Sequence, residues 1–287
     1  MKLTFACVSV VAFAFSVFGQ DRSSALAEYL GLKDRAAVLE RIVLLPDKSD
    51  IEAATREGLN AMRILPREKY TNSYSSVVGG GSYFSFFYRY HDYGWGSDLG
   101  LEQEHLYAAA PMGMIADLGE LPLQNVHENS AAIAAIAKFE PDRYQIIRDS
   151  LVSRDGLMVG ETKFVFRLKP VTGRSYLVRA ATPGYYDVLV AFQLARKDAD
   201  GSLVLFWRLI EQYDTPQRDN RWKPASDADI LKALHPGYKQ TFAGINIDVK
   251  DGIATLSGSV ERKNLSYVVQ LVNSFGSRRV INNLELK

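Results

Sequence analysis

The four residues Asp198-Ala199-Asp200-Gly201 separate two runs, Asp187 to Ala195 and Ser202 to Tyr213, that are rich in leucine, valine and aromatic side chains. Asp and Gly tolerate the positive φ of a tight turn, so this arrangement predicts an antiparallel hairpin and with it a sheet. Further strand-like runs lie at Lys163 to Leu168 and Ser175 to Ala180, and the aromatic stretch Ser82 to Tyr90, entered through Gly79-Gly80-Gly81, suits a pleated surface. Asn129 to Lys138, rich in Ala and Ile, reads as a short helix. Residues 77–216 are therefore expected to form a mostly antiparallel β domain with a helical insertion, followed by a polar, proline-containing linker assigned to residues 217–225.

Residues 20–76 read as a helical segment. Ser49-Asp50-Ile51-Glu52 has the spacing of a capping box and Pro46 closes the helix before it. Ile51, Ala54, Ala61 with Met62, and Leu65 then fall roughly on one helical face, expected to pack on the following domain. Ahead of this segment, Lys2 and the uncharged run Leu3 to Phe18, with small residues at positions −3 and −1 of a cut after Gly19, have the parts of a secretory signal peptide spanning residues 1–19. The apolar run is shorter than the ~20 residues a membrane-spanning helix needs, and no later segment reaches that length, so a periplasmic or secreted protein is expected. The single cysteine, Cys7, falls inside this leader; cleavage would leave a chain with no thiol and with equal numbers of basic and acidic residues.

One cysteine excludes an intrachain disulfide framework, and together with only four histidines it excludes thiolate zinc ribbons. The balance of 34 Lys+Arg against 33 Asp+Glu argues against nucleic acid as a partner held by bulk electrostatics. A length of 287 residues passes the point at which one core usually splits, so two domains are expected.

The second domain is assigned to residues 226–287. Ser226 to Leu234 reads as a capped helix, Gly244 to Val249 alternates as a half-buried strand, Asp251-Gly252 turns it, and Ile253 to Val260 returns. A helix through Tyr267 to Val272 and a strand from Arg279 to Leu286 complete an α-β-β-α-β unit, giving an α+β class for the whole chain. This segment resembles a BON domain, a module of bacterial envelope proteins. The resemblance rests on Asp251-Gly252, on Leu256 and Gly258 of a Leu-x-Gly, on Gly276 with Val280 four residues later, and on Asn282-Asn283-Leu284. Two features depart from it: Ser277 replaces the usual valine, and there is a single copy. The resemblance implies association with anionic phospholipid or another cell-envelope component. Eight basic against six acidic residues over 224–287 give only a weak pull, and Arg262, Lys263, Arg278 and Arg279 could hold a lipid head group only if the fold gathers them.

The β domain resembles a group of uncharacterised secreted bacterial proteins through Gly81 to Phe86, Tyr93 to Leu99, and Leu118 to Leu123, a likeness that carries no chemistry. Its densest polar cluster contains His91 and Asp98, with Glu102 and His105 close behind. Imidazoles beside carboxylates could bind a metal or act as an acid/base pair, but the spacing matches no His-Glu-x-x-His signature. The alternative is a glycine-rich loop whose carboxylates cap backbone N–H groups. No Gly-x-Ser-x-Gly elbow and no phosphate loop is present, so no catalytic residue and no cofactor is assigned. The aromatics from Tyr83 to Tyr90 could also line a groove for sugars or lipid tails, making a ligand-binding protein a further alternative.

Overall fold

The computed structural model describes residues 21–70, 81–91, 96–127, 131–137, 156–217, 223–234 and 242–287. The expected leader at 1–19 and most of the expected linker lie outside the described residues. The chain is a mixed α+β protein in which most strand pairs are antiparallel. Two helices, α1 (Arg22–Leu44) and α2 (Lys48–Arg56), lead into the edge strand β1 (Asn60–Ile64) and a single turn, α3 (Arg67–Tyr70). The strands β2 (Tyr83–Phe84), β3 (Leu99–Glu102), β4 (His105–Ala108) and β8 (Arg167–Leu168) make a small sheet in that order. The main sheet is built from β5 (Met112–Gly119), β6 (Leu157–Val159), β7 (Thr162–Val165), β9 (Ser175–Thr182), β10 (Tyr186–Lys197) and β11 (Leu203–Tyr213) together with β1, in the order β1-β11-β10-β9-β5-β7-β6. Helix α4 (Ala131–Ala137) lies in the connection after β5.

The Asp198–Gly201 turn does join β10 to β11, with Gly201 at φ 89° and the Asp198 N–H donating to Ser202 O at 2.8 Å. The N-terminal segment differs from the sequence expectation. Helix α2 starts at Lys48 behind Asp47, not behind Ser49, and it stops before Gly58, whose φ of +70° breaks the helical path. The next residues pair with β11, Met62 opposite Leu205 and Ile64 opposite Leu203. The expected single face from Ile51 to Leu65 therefore does not exist: alternation of period two, not 3.6, buries Met62 and Ile64. An open strand edge beside β11 offers a ladder of backbone partners that a surface helix would leave unused. Helix α1 is anchored at its end, where Leu44 is buried on Leu65 and Arg63 Nη1 donates to Val43 O at 2.6 Å, while Leu26, Leu30, Leu39 and Ile42 are exposed.

Strand β9 is buried along its whole length, including Arg179. The Arg179 guanidinium makes a two-pronged pair with Asp187, at 3.0 and 2.7 Å, and donates to Ile136 O at 2.7 Å, fastening α4 to the sheet. A buried guanidinium keeps its charge only because every such bond replaces lost water.

The C-terminal unit consists of α5 (Asp227–Leu234), β12 (Ile245–Lys250), β13 (Ile253–Val260), α6 (Arg262–Ser274) and β14 (Arg279–Leu286). Strand β13 is central, antiparallel to β12 and parallel to β14. Ser226 caps α5, its Oγ accepting the Asp229 N–H at 3.2 Å, and Asp251 and Gly252 both take positive φ in the β12–β13 turn. Leu256, Val280 and the α6 residues Leu265, Val268, Val269 and Val272 form its core, which is continuous with that of the β domain. Polar bonds fix the junction: Gln212 Nε2 donates to Val280 O at 2.6 Å, Asn273 Nδ2 to Tyr185 O at 2.8 Å, and Asn282 Nδ2 to Phe87 O at 3.1 Å. No helix among the described residues is long and apolar enough to cross a membrane.

Gly258 on β13 has φ +100°, and a Cβ there would stand 2.2 Å from the backbone oxygen of Gly244. Gly258→Ala should therefore cost about 2–4 kcal/mol, since strand and turn must both shift. Gly31, inside α1 with nothing within 4 Å of an added Cβ, should gain up to about 1 kcal/mol as alanine. Urea midpoints of the two variants test both signs.

Candidate functional site

The aromatic stretch beginning at Tyr83 is not one strand. After β2 the chain reverses: Ser85 bridges Tyr90, the Ser85 N–H donates to Tyr90 O at 2.9 Å, and the Arg89 N–H donates to Ser85 O at 2.7 Å. Phe86, Phe87 and Tyr88 are thereby turned into the core, Phe87 stacked on Tyr186 with ring centres 4.4 Å apart. The turn is held from inside by Asp98. Its Oδ2 accepts the Phe86 and Phe87 N–H groups at 2.7 and 3.3 Å and the Ser85 hydroxyl at 3.2 Å. The sequence alternative of a loop carboxylate capping backbone N–H groups describes this residue.

Tyr186 Oη lies 2.7 Å from Asp98 Oδ1 and 2.9 Å from Gly96 O. A phenol has one proton and cannot serve both acceptors fully. The network closes when Asp98 is protonated: the carboxyl O–H donates to Tyr186 Oη, and Tyr186 donates to Gly96 O. Burial pushes the Asp98 carboxyl up to about 7, against the hydrogen bonds that Tyr186, Phe87, Phe86 and Ser85 would donate to its ionised form.

His91, directly after the turn, is also buried, with its Nε2 2.6 Å from Arg63 O. A carbonyl only accepts, so Nε2 carries the proton of a neutral ring. Burial, reinforced by the charge of Arg262, lowers the imidazole to about 4. His105 lies instead at the exposed end of the β3–β4 hairpin, where its Nδ1 is 2.6 Å from Gln103 O and 3.2 Å from Arg167 Nη2. Glu102 pairs with Arg67 at 3.2 Å. The four sequence candidates thus have different partners, and among the described residues no group of three His, Cys, Asp or Glu could hold a metal ion.

The turn forms one wall of a cavity of about 530 Å³ at the junction of α1, β1, β11 and the C-terminal unit. Its buried surface comes from Leu44, Met62, Phe84, His91 and Trp207, and Arg89, Arg262, Leu286 and Lys287 line it as well. Arg89 takes φ 61°, a left-handed conformation that costs a side-chain-bearing residue roughly 1–2 kcal/mol. Arg262 lies 4.5 Å over the Tyr90 ring. A second, open cleft of about 510 Å³ adjoins it, sharing Tyr90, Arg262 and Lys287 and adding Glu261, Lys263 and Ser266.

The four cations proposed from sequence separate into two pairs. Arg262 and Lys263 open α6, whereas Arg278 and Arg279 follow its end, about 20 Å away along 13 helical residues. Arg278 and Arg279 both face Asp214 of the β domain, at 3.8 and 3.0 Å. Lys263 pairs with Glu261 at 2.7 Å in full solvent. Sequence reasoning passed over Arg89 and Trp207. Neither belongs to a motif; the reversal at Phe86–Arg89 brings Arg89 to the space that Trp207 of β11 lines.

Compared with known proteins, the chain matches no family model, no curated protein and no solved structure.

Asp98 and His91 oppose each other in the pH dependence of stability. Asp98, with a folded value raised from 3.8 to about 7, contributes stability that is full below pH 4 and lost as pH rises to about 7. His91, lowered from 6.5 to about 4, contributes stability that is full above pH 6.5 and lost as pH falls to about 4. Asp98→Asn fits the same network, its amide donating to Tyr186 Oη, and should leave the His91 slope exposed. Relative to the parent protein, its stability should rise by on the order of 3 kcal/mol from pH 4 to pH 7 in urea titrations. Asp98→Ala, which orphans the donors, should lose several kcal/mol at every pH.

Proposed function

We propose that this is an exported, non-catalytic protein of the bacterial cell envelope, whose C-terminal unit is a BON-like module that associates with anionic phospholipid. Export rests on the leader-like segment 1–19. The BON-like reading is supported by the order α5-β12-β13-α6-β14 and by the roles of its signature glycines. Gly276, at φ +95°, leaves no room for a Cβ beside Ala225 and accepts the Ala225 N–H at 3.1 Å. The departure at Ser277 is accommodated locally, its buried Oγ donating to Val272 O at 3.2 Å.

The observation that carries the lipid reading is the cleft at the start of α6, where three cations, Arg262, Lys263 and Lys287, outnumber the single carboxylate of Glu261 beside Ser266 and Tyr90. Glu261, the N-cap residue, makes no side-chain bond to the first turn, so the helix dipole and its N–H groups face that cleft without a capping side chain. A phosphate there gains the dipole and the cations together. The Arg278–Arg279 end serves a different purpose, docking the module on Asp214.

Co-sedimentation of the whole protein with vesicles of anionic and of purely zwitterionic phospholipid, at low and high salt, tests this reading. Binding should require the anionic lipid and weaken with salt. Arg262→Ala with Lys263→Ala should weaken it about thirtyfold, two surface charges at about 1 kcal/mol each. Arg278→Ala with Arg279→Ala should leave it nearly intact. No binding to anionic vesicles at low salt would remove the proposal.

A further inference from the structure

The junction cavity adjoins the surface cleft and shares Tyr90, Arg262 and Lys287 with it, but its lining differs in chemistry. Its buried surface is mostly hydrocarbon and aromatic ring, from Leu44, Met62, Phe84, Tyr90 and Trp207, with the neutral imidazole of His91 among them. No Asp or Glu lines it, whereas Arg89, Arg262 and Lys287 do. Neither Arg89 nor Arg262 is paired with a carboxylate among the described residues; Arg262 rests on the Tyr90 ring, and Arg89 makes only a long contact of 3.5 Å to Asn282 O. Arg89 is moreover held at φ 61°, where glycine would be free of strain. A cation kept in a strained position beside an apolar hollow is explained by what it faces. The volume of about 530 Å³ is that of a small-molecule site.

We propose that this cavity binds a single-chain anionic amphiphile, its acyl chain against Met62, Phe84 and Trp207 and its carboxylate between Arg89 and Arg262. The hydrocarbon gains by leaving water, and a planar carboxylate matches the guanidinium fork. A cationic head would be repelled from the same position. Lengthening the chain raises affinity roughly fourfold per buried methylene until the hollow is full. This site shares Tyr90, Arg262 and Lys287 with the α6 cleft, and what distinguishes it from vesicle association is a ligand that is a monomer in water and the part taken by Arg89, which lines the cavity and not the cleft.

Calorimetry and Trp fluorescence of the full-length protein with decanoate, decan-1-ol and decyltrimethylammonium, each below its micelle concentration and without vesicles, provide the test. Decanoate should bind one molecule per chain and at least tenfold more tightly than decyltrimethylammonium. Arg89→Gly should weaken decanoate at least fivefold, leave decan-1-ol unchanged, and keep a melting temperature no lower than the parent's, which separates lost recognition from lost folding. Leu45→Glu, an exposed change at the cavity that adds one carboxylate beside three cations, should narrow the preference for decanoate over the cationic amphiphile. Absence of decanoate binding, equal binding of the three probes, or an Arg89→Gly protein that binds decanoate like the parent would each overturn the proposal. Vesicle binding by Arg89→Gly is expected to match the parent's, so failure of either reading leaves the other standing.

Discussion

The carboxyl group of Asp98 is the point from which much of this structure is organised. It sits with no solvent exposure among Phe86, Phe87 and Tyr186, receives two backbone N–H groups and the Ser85 hydroxyl, and shares a hydrogen bond with the Tyr186 hydroxyl. A tight reversal places several N–H groups on its inner side, where no strand can pair them; unpaired, each would cost about as much as a lost hydrogen bond. One buried acceptor pointing into the turn resolves this. The aromatic side chains that the turn carries can then be used as core.

Several parts of the molecule lean on that reversal. The Phe87 carbonyl, turned outward, is the acceptor that seats Asn282 of β14. Tyr90, at the end of the turn, is the platform under Arg262, and Phe84 at its start stands edge-on to His91 and to Trp207. The C-terminal unit is thus attached through backbone and aromatic groups whose positions the turn sets. Arg179, buried against Asp187, plays a comparable part on the opposite side of the sheet by holding the α4 carbonyl of Ile136. In both places a charged or chargeable group is tolerated because its surroundings supply a full set of bonds, and removal of one partner is more damaging than removal of the whole constellation would be.

The four C-terminal cations illustrate how burial of an interface sorts charge. In a free module Arg262, Arg278 and Arg279 would all be solvated, with Lys263 already paired to Glu261. Docking brings Asp214 to Arg278 and Arg279, while the start of α6 keeps Arg262 and Lys263 beside an open cleft. Exposed pairs of this kind are worth little in stability, so their consequence is mainly where positive potential remains.

The sequence by itself determined the elements whose signal is local. The Asp198–Gly201 and Asp251-Gly252 turns demand positive φ, the long runs on either side alternate or are continuously apolar, and Ser226 caps a helix; each of these was legible because its cause lies within a few residues. Tertiary structure alone decided the rest. Asn60–Ile64 became a strand because β11 offered an edge, although its apolar residues could also continue a helical stripe. Tyr83–Tyr90 became a turn because a carboxylate 11 to 13 residues downstream takes the N–H groups of its bend. Within the candidate cluster, Asp98 and His91 were visible as polar residues in an aromatic setting. That they belong to different bonds, and that Arg89, Trp207 and Arg262 line one cavity with His91, depends on the packing of segments far apart in the chain, Arg89 and Arg262 being 173 positions from one another. No composition or periodicity carries such a contact, because it is made only when separate segments are packed against one another.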